Sequence, residues 1–249
     1  MPNPLPVSAI LITKNEAHNL PRCIGSLGFC SQIVVVDSGS SDNTVQVARD
    51  LGAQVTKTED WPGFGPQKNR ALDLASQPWV FSIDADEWVT PELESAIRQH
   101  VTSGTGGAEI LRASSFCGRV MQYSGWGDDW VLRLFPRESG RFSQDLVHER
   151  VMVSGSLARL DGVLNHESFV DLSQVLSKID HYSSAWAEQA YARGRRGGVA
   201  KAIVKGLAAF VKTLVLKQGF RDGLPGLLLA VTNGHGTFYK YAKLWLLSR

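Results

Sequence analysis

The sequence predicts an α/β fold with a mostly parallel central sheet, flanking helices and a C-terminal helical extension. In its first half, short apolar or β-branched runs alternate with helical patterns, and such alternation specifies parallel strands covered on both faces. Polar clusters close three of those runs, where open α/β sheets bind ligands. Toward the C-terminus the pattern turns helical and the basic residues thicken.

Residues 7–13 read as a buried strand, short and apolar until Thr13. A helix follows over 19–27, then a second strand over 33–37, rich in valine. Ser41 or Asp42 can cap a helix over 43–51, which Gly52 can end. A third strand is expected over 54–58, a helix over 67–75 and a fourth strand over 79–83, ending at Asp84. Pro91 suits the first turn of a helix reaching about Val101. Residues 109–116 and 131–135 read as strands of a mixed or antiparallel part. Long helical patterns occupy 171–193 and 199–217.

A chain of 249 residues with 43 % hydrophobic and 20 % charged residues can bury a sizeable core, as one large domain or a domain with an appendage. Cys23, Cys30 and Cys117 are too few and too irregularly spaced for a disulfide framework, which favours a reducing cytosolic compartment. The start, Met1 to Pro6, lacks the basic and apolar regions of a signal peptide. No apolar run approaches the roughly 18–20 residues that span a bilayer.

The strand-end clusters carry the chemistry. Asp84 and Asp86, separated by a single residue, can share a hard divalent cation, Mg²⁺ or Mn²⁺, whose shell a substrate diphosphate completes. By itself such a pair reads more readily as a cap for the helix at Pro91; the other two clusters on the same sheet edge reverse that preference. Asp37, before the turn at Gly39, can accept hydrogen bonds from a nucleobase imide or ribose hydroxyls. Thr13, Lys14, Asn15 and Glu16 close the first strand, and are otherwise an ordinary surface loop. A glycine-containing loop, Gly63 to Pro66, enters a helix bearing Lys68 and Arg70, which suits a phosphate. Neither a Walker spacing nor a G-x-G-x-x-G after the first strand is present, which argues against a P-loop enzyme and a dinucleotide oxidoreductase.

In order, the runs Ile10-Leu11-Ile12-Thr13-Lys14-Asn15-Glu16, Val35-Val36-Asp37-Ser38-Gly39-Ser40-Ser41-Asp42, Lys68-Asn69-Arg70-Ala71 and Asp84-Ala85-Asp86-Glu87 resemble the motifs of family 2 inverting glycosyltransferases of the GT-A fold. Arg133-Leu134-Phe135-Pro136-Arg137, Val147-His148-Glu149-Arg150 and Leu164-Asn165-His166-Glu167 look like the WaaE/KdtX subgroup, β-1,4-glucosyltransferases of the lipopolysaccharide inner core. The resemblance implies hexosyl transfer from a UDP-sugar, UDP-glucose foremost, to a core heptose. It implies that Asp37 meets the uracil–ribose part of UDP, with Thr13, Asn15 and Glu16 lining the same pocket. Lys68 would approach the ribose or diphosphate, Asp84 would face the ribose and metal, and Asp86 would ligate the metal. Many members carry a second aspartate where this chain has Ser38, so ribose contacts assigned to that position do not transfer.

Inversion needs a base for the acceptor hydroxyl, usually a carboxylate. Glu149 sits where related folds place it, with Asp129 as the second candidate. His166 is a further metal or phosphate contact on this reading, or a structural histidine. Trp126 and Trp130 suit stacking on sugar faces or core packing. The implied division is a catalytic domain over 1–190, with a nucleotide-binding half over about 1–103 and an acceptor half over about 104–190, and a basic amphipathic extension over 191–249.

At 100° per residue, Lys201, Lys205 and Lys212 fall in one sector of the 199–217 helix, and Ile203, Val204, Leu207, Phe210, Val211 and Leu214 in another. With Arg195 and Arg196 upstream, and Phe238, Tyr239, Tyr241 and Trp245 interleaved with Lys240 and Lys243, this suits an anionic membrane surface. A helix packed on the catalytic domain with a solvated lysine face is the bland alternative. Nucleic acid is a poorer fit, since no recognisable module accompanies the charges. The expected location is cytoplasmic, peripheral on the inner membrane, near a lipid-linked acceptor. Two competing functions are a nucleotidyltransferase and a non-catalytic nucleotide-binding membrane scaffold. The first wants a glycine-rich phosphate loop after strand one, and Thr13 to Glu16 is not that.

Overall fold

In the computed structural model, which describes residues 3–143 and 150–249, the apolar run near the N-terminus forms strand β1 (Leu5–Thr13). Helix α1 (Leu20–Gly25), strand β2 (Cys30–Asp37), helix α2 (Thr44–Asp50) and strand β3 (Gln54–Lys57) follow. Then come α3 (Phe64–Asp73), β4 (Trp79–Ser82), β5 (Glu87–Val89) and α4 (Pro91–Ser103). Beyond these lie β6 (Gly107–Phe116), β7 (Arg119–Val120), β8 (Trp130–Pro136), β9 (Gly140–Phe142), β10 (Val151–Val153) and β11 (Leu157–Phe169). Three helices end the chain: α5 (Leu172–Ala192), α6 (Val199–Val211) and α7 (Leu224–Leu247). Two units result, Met1–Arg112 with Asp129–His166, and Ala113–Asp128 with Glu167–Arg249.

The first unit carries the sheet, in the order β3-β2-β1-β4-β8-β6-β11-β5. β1 pairs in parallel with β2 and β4, and β2 with β3. β8 pairs antiparallel with β4 and β6, and β11 with β5. These parallel pairs all lie in the half built from the first four strands. Alternate residues of β1 point to opposite layers. Val7, Ala9 and Leu11 join Leu20, Leu27, Leu93 and Ile97 in one core, while Ile10 joins Val34, Val36, Ala71 and Phe135 in the other.

The expected elements recur with shifted ends. α3 starts at Phe64 and takes Gly65 and Pro66 into its first turn, where a missing N–H costs nothing because that group has no intrahelical partner. Thr90 caps α4, its hydroxyl accepting from the Leu93 N–H at 3.3 Å. β5, between the Asp84–Asp86 turn and α4, is too short to show in a sequence pattern. β11 is the longest strand described, yet its polar residues give it no clear alternation, so only its His166 stood out.

The second unit is helical. Asp171 caps α5, accepting from the Gln174 N–H at 2.9 Å. The boundary expected at 190 falls inside α5, which belongs entirely to this unit because it packs on α7. α6 and α7 approach through small residues: a Cβ added to Gly206 would lie 3.1 Å from the Cβ of Phe238. Ala202 and Gly206 therefore form the buried side of α6, and Ile203, Val204, Leu207 and Val211 are left exposed. After Val211 the helix widens into a π-helical turn over Lys212–Leu216. No described helix is long and apolar enough to cross a membrane.

Candidate active site

β1 and β2 end side by side, with Thr13 opposite Asp37. The Thr13 hydroxyl donates to Asp37 Oδ2 at 3.1 Å, and the Ser40 N–H to Asp37 Oδ1 at 3.0 Å. Asp37 has no exposed surface, so it organises its loop from within. Asn15, in the left-handed region at φ 59°, accepts from the Ser41 N–H at 2.8 Å, and its own N–H donates to Ser40 Oγ at 2.8 Å. Glu16 donates its N–H to Thr44 Oγ1 at 2.8 Å and accepts from the Asn19 amide at 2.7 Å. Asp42 Oδ1 accepts from the Thr44 N–H at 3.0 Å, a local turn bond; the N-cap of α2 is Asn43, without a side-chain cap bond, rather than Ser41 or Asp42. Four of the expected nucleoside-pocket residues, Thr13, Asn15, Glu16 and Asp37, are thus tied into one double loop.

Helix α3 supplies the next layer. Gln67 is buried and donates to Ser38 Oγ at 2.9 Å and Thr58 Oγ1 at 2.7 Å. Ser38, where many family members have an aspartate, is therefore engaged in structure. Lys68, also buried, reaches Asp84 Oδ1 at 3.0 Å. Arg70 turns elsewhere: both its terminal nitrogens donate to Asp60 at 2.7 Å. Of the two cations expected to meet a phosphate, Arg70 is thus engaged by Asp60 and Lys68 by Asp84.

Asp84 lies at the centre of a chain of charges. Its Oδ2 accepts from Arg133 Nη2 at 2.7 Å, and the same nitrogen donates to Glu87 Oε1 at 2.6 Å. Glu87 is fully buried, and Arg112 approaches it at 3.5 Å. Arg112 then clasps Asp129 Oδ2 through Nη2 at 2.7 Å and Nε at 2.8 Å. One path therefore runs Lys68–Asp84–Arg133–Glu87–Arg112–Asp129. Burial pushes the Asp84 carboxyl up, but Arg133 and Lys68 overcome this and hold it well below the usual carboxylate range. Burial raises Glu87, which Arg133 only partly offsets and the Asp84 charge reinforces. Arg133, buried between two carboxylates, is held more firmly protonated than an ordinary arginine.

Asp86 points to a different partner. Its Oδ2 lies 3.4 Å from His166 Nε2, and both side chains are partly exposed. The pairing follows from register: β11 runs antiparallel to β5, with His166 opposite Glu87 and so next to the Asp86 turn. A carboxylate oxygen beside an imidazole nitrogen fits a divalent cation that accepts both donor types. Among the described residues no group of three or more His, Cys, Asp or Glu side chains could hold a metal by itself. Such an ion would draw the rest of its shell from substrate and water.

Asp84, Asp86, Lys68, His166 and Asp129 are thus brought into one unit, with Asp84 and Asp129 on a common ionic path. Glu149 and the neighbouring His148 lie outside the described residues. Trp130 packs under Arg159, whose guanidinium carbon is 4.5 Å from its ring centroid. Trp126 belongs to the helical unit and packs against Phe116 and Phe169, the core reading considered for it. Arg133, Glu87 and Arg112 received no role from the sequence. Arg133 and Glu87 stood inside the quoted motifs, and charged residues within otherwise apolar strands were the available signal.

Strand-end carboxylates on a parallel half-sheet, completed by an antiparallel half, are the architecture of the GT-A fold. The profile described as "Glycosyl transferase family 2" matches residues 8–145, and the chain belongs to that family. Its relatives include the lipopolysaccharide core biosynthesis glycosyltransferase LpsC of Rhizobium meliloti (strain 1021), 33 % identical over 97 % of this chain and 92 % of the relative. Among solved structures, S. aureus TarS in complex with UDP is 26 % identical over 46 % of this chain and 37 % of its own, with a TM-score of 0.40. Glucosyl-3-phosphoglycerate synthase from Mycobacterium tuberculosis, in complex with Mn²⁺ and UDP-glucose, is 24 % identical over 44 % and 43 %, with a TM-score of 0.38.

Proposed function

We propose that this glycosyltransferase moves a hexosyl group with inversion from a UDP-sugar, UDP-glucose foremost, to a heptose of the lipopolysaccharide inner core. The observation that carries the donor half is the Asp86–His166 pair at the sheet edge, beside Lys68 and the Thr13–Asp37 loops. The acceptor class is supported by the relative named for lipopolysaccharide core biosynthesis.

Asn15 and Glu16 contact the nucleoside at the loop surface, while Thr13 and the buried Asp37 fix the loop frame. Asp86 and His166 would hold a divalent cation, and their oxygen–nitrogen donor set favours Mn²⁺ over Mg²⁺. Bound there, the ion would neutralise charge on the departing diphosphate. Asp84 sits behind this pair; with both oxygens on Lys68 and Arg133, it positions the Lys68 ammonium and meets the ribose or metal from its remaining exposed edge. In the chemical step the acceptor oxygen bonds to the anomeric carbon as the bond to the diphosphate oxygen breaks, and the acceptor proton passes to a carboxylate. Glu149 is that base. Asp129 suits the task less, because Arg112 engages its Oδ2 through both Nη2 and Nε and ties it into the ionic path.

The exposed Ile203, Val204, Leu207 and Val211, flanked by the exposed Lys201, Lys205 and Lys212, suit docking on an anionic membrane, peripherally on the cytoplasmic face of the inner membrane. Lys243 is not part of that face, since it donates to Asp180 Oδ1 and Ser184 Oγ, both at 2.7 Å.

A donor screen tests the reading. UDP release from UDP-sugars is measured with Mn²⁺ or Mg²⁺, with and without a truncated core acceptor. Release should require a metal and rise with acceptor. Asp86→Ala and Glu149→Gln should each cost at least about 100-fold in transfer, but only Asp86→Ala should weaken metal-dependent UDP binding. Unimpaired turnover by Glu149→Gln would remove it from the base role. UDP binding without transfer to any acceptor would favour the non-catalytic alternative.

A further inference from the structure

The helical unit contains a cavity of about 380 Å³, none of whose residues has a place in the proposed transfer chemistry. Its apolar wall is the aromatic cluster of Phe116, Trp126 and Phe169, with rings 6.0 to 6.4 Å apart. Four lysines line it: Lys178 from α5, Lys212 and Lys217 from the π-helical turn and its end, and Lys240 from α7. None of the described lining residues is acidic.

Two of the lysines, Lys217 and Lys178, are placed by the surrounding structure. Ser124 donates its N–H to the Lys217 carbonyl at 2.8 Å, and Gly125, at φ 85°, leaves room for the Lys217 side chain. A Cβ on Gly125 would stand 2.3 Å from Lys217 Nζ. The buried Asp222 locks this loop, accepting from the Gln122 N–H at 3.0 Å and the Ser124 hydroxyl at 2.7 Å. Lys178 lies 4.6 Å from the Phe169 ring centroid, at the border of the apolar wall.

Several lining hydroxyls are engaged inside the fold. Thr232 donates to the Leu229 carbonyl at 2.9 Å, Ser183 to the Asp180 carbonyl at 3.1 Å, and Thr213 accepts from Asn233 at 3.2 Å. The ammonium groups are the charged donors of the described lining. Four point charges lining one cavity, without an arginine fork, match a phosphate better than a planar carboxylate. A phosphate monoester carries about 1.5 to 2 negative charges near neutrality, and a carboxylate only one. The volume is at the lower end of the roughly 300–1,000 Å³ of small-molecule sites, enough for a head group and the start of an apolar tail.

We propose that this cavity binds a phosphorylated amphiphile, its phosphate on Lys178, Lys212, Lys217 and Lys240 and its first apolar carbons against Phe116, Trp126 and Phe169. The site stands apart from the donor chemistry, so a failure of UDP-sugar turnover would leave it intact. The ligand chemistry is common to a bilayer phospholipid and to a monomeric phosphorylated glycolipid.

Calorimetry on the full-length protein tests it, with dihexanoyl phosphatidic acid, dihexanoyl phosphatidylcholine and inorganic phosphate as probes. Phosphatidic acid should bind at least about tenfold more tightly than either control. The triple variant Lys178→Gln, Lys212→Gln, Lys240→Gln should lose about tenfold or more, since charge-assisted contacts are removed, and Lys57→Gln, in β3 of the sheet unit, should not. Vesicles containing phosphatidic acid separate the sources: competition by them assigns a bilayer head group, and binding of the monomer alone assigns a free amphiphile. Acetylation of Lys178, Lys212 and Lys240 in the wild-type protein, followed by mass spectrometry, should slow several-fold with the short-chain ligand. This readout needs no substitution and survives a variant that does not fold. Equal affinity for inorganic phosphate, wild-type affinity in a folded triple variant, or unprotected lysines would each overturn the proposal.

Discussion

At the scale of single residues, Arg133 is the group on which the acidic site depends. It places one guanidinium nitrogen against both Asp84 and Glu87 inside the protein. Removing one partner from a buried ionic set leaves uncompensated charge, which typically costs about 3–5 kcal/mol. Arg133→Met should therefore lower unfolding free energy by about that amount in urea titrations; a loss under roughly 1 kcal/mol would mean the carboxylates find other partners. Asp84 gives a pH signature. Its folded-state pKa is depressed, so its contribution is complete above the unfolded value, roughly 3.9, and is lost as pH falls below it. Glu87 is raised and acts with the opposite sign, favouring the fold at lower pH. Melting temperature against pH should thus fall less steeply below about pH 4 in Asp84→Asn than in the wild type. Parallel acid limbs would show that Asp84 is not held in its charged form.

At the scale of elements, α3 joins the parallel half of the sheet to the small β9–β10 hairpin. Asn69 donates to the Phe142 carbonyl at 2.9 Å and accepts from the Phe142 N–H at 3.0 Å. Both bonds are buried, so Asn69→Ala leaves two backbone groups without their partner, at about 1–3 kcal/mol each. Thermal unfolding should register the loss, and transfer should suffer too, because the same helix carries Lys68. An unchanged melting temperature would mean that water replaces the amide. Helix α6 shows how packing overrides pattern. Its longer apolar side chains were expected to meet a membrane or, alternatively, to pack on the catalytic domain; close approach to α7 at Gly206 makes the small side the buried one and leaves the longer side chains exposed.

For the whole molecule, the two units carry different properties. The sheet unit holds the strand-end carboxylates and their cations. The helical unit displays the exposed apolar side chains of α6, among them Val204 at 63 % and Leu207 at 61 %. Replacing both by glutamate should reduce co-flotation with anionic vesicles severalfold, because apolar insertion and electrostatic attraction are lost together. UDP release on a soluble truncated acceptor should stay near the wild-type rate. Undiminished flotation would place the membrane contact elsewhere.

The sequence by itself determined the alternation of strand and helix, the three polar clusters at strand ends and the length of α5. Each depends on near neighbours: side-chain periodicity, a cap at Asp171, a β-branched run before Asp37. Motif order pointed to the family, and Asp84, Asp86, Lys68 and His166 were legible as candidates. Only the tertiary structure decided which partner each meets. Asp84 and Asp86 are two residues apart, yet one faces Lys68 and Arg133 while the other faces His166. That division comes from β8 and β11 arriving beside the turn, a consequence of sheet order and register across distant chain segments. The buried side of α6 was hidden for the same reason: a helix shows its periodicity in sequence, but the surface it packs on lies elsewhere in the chain.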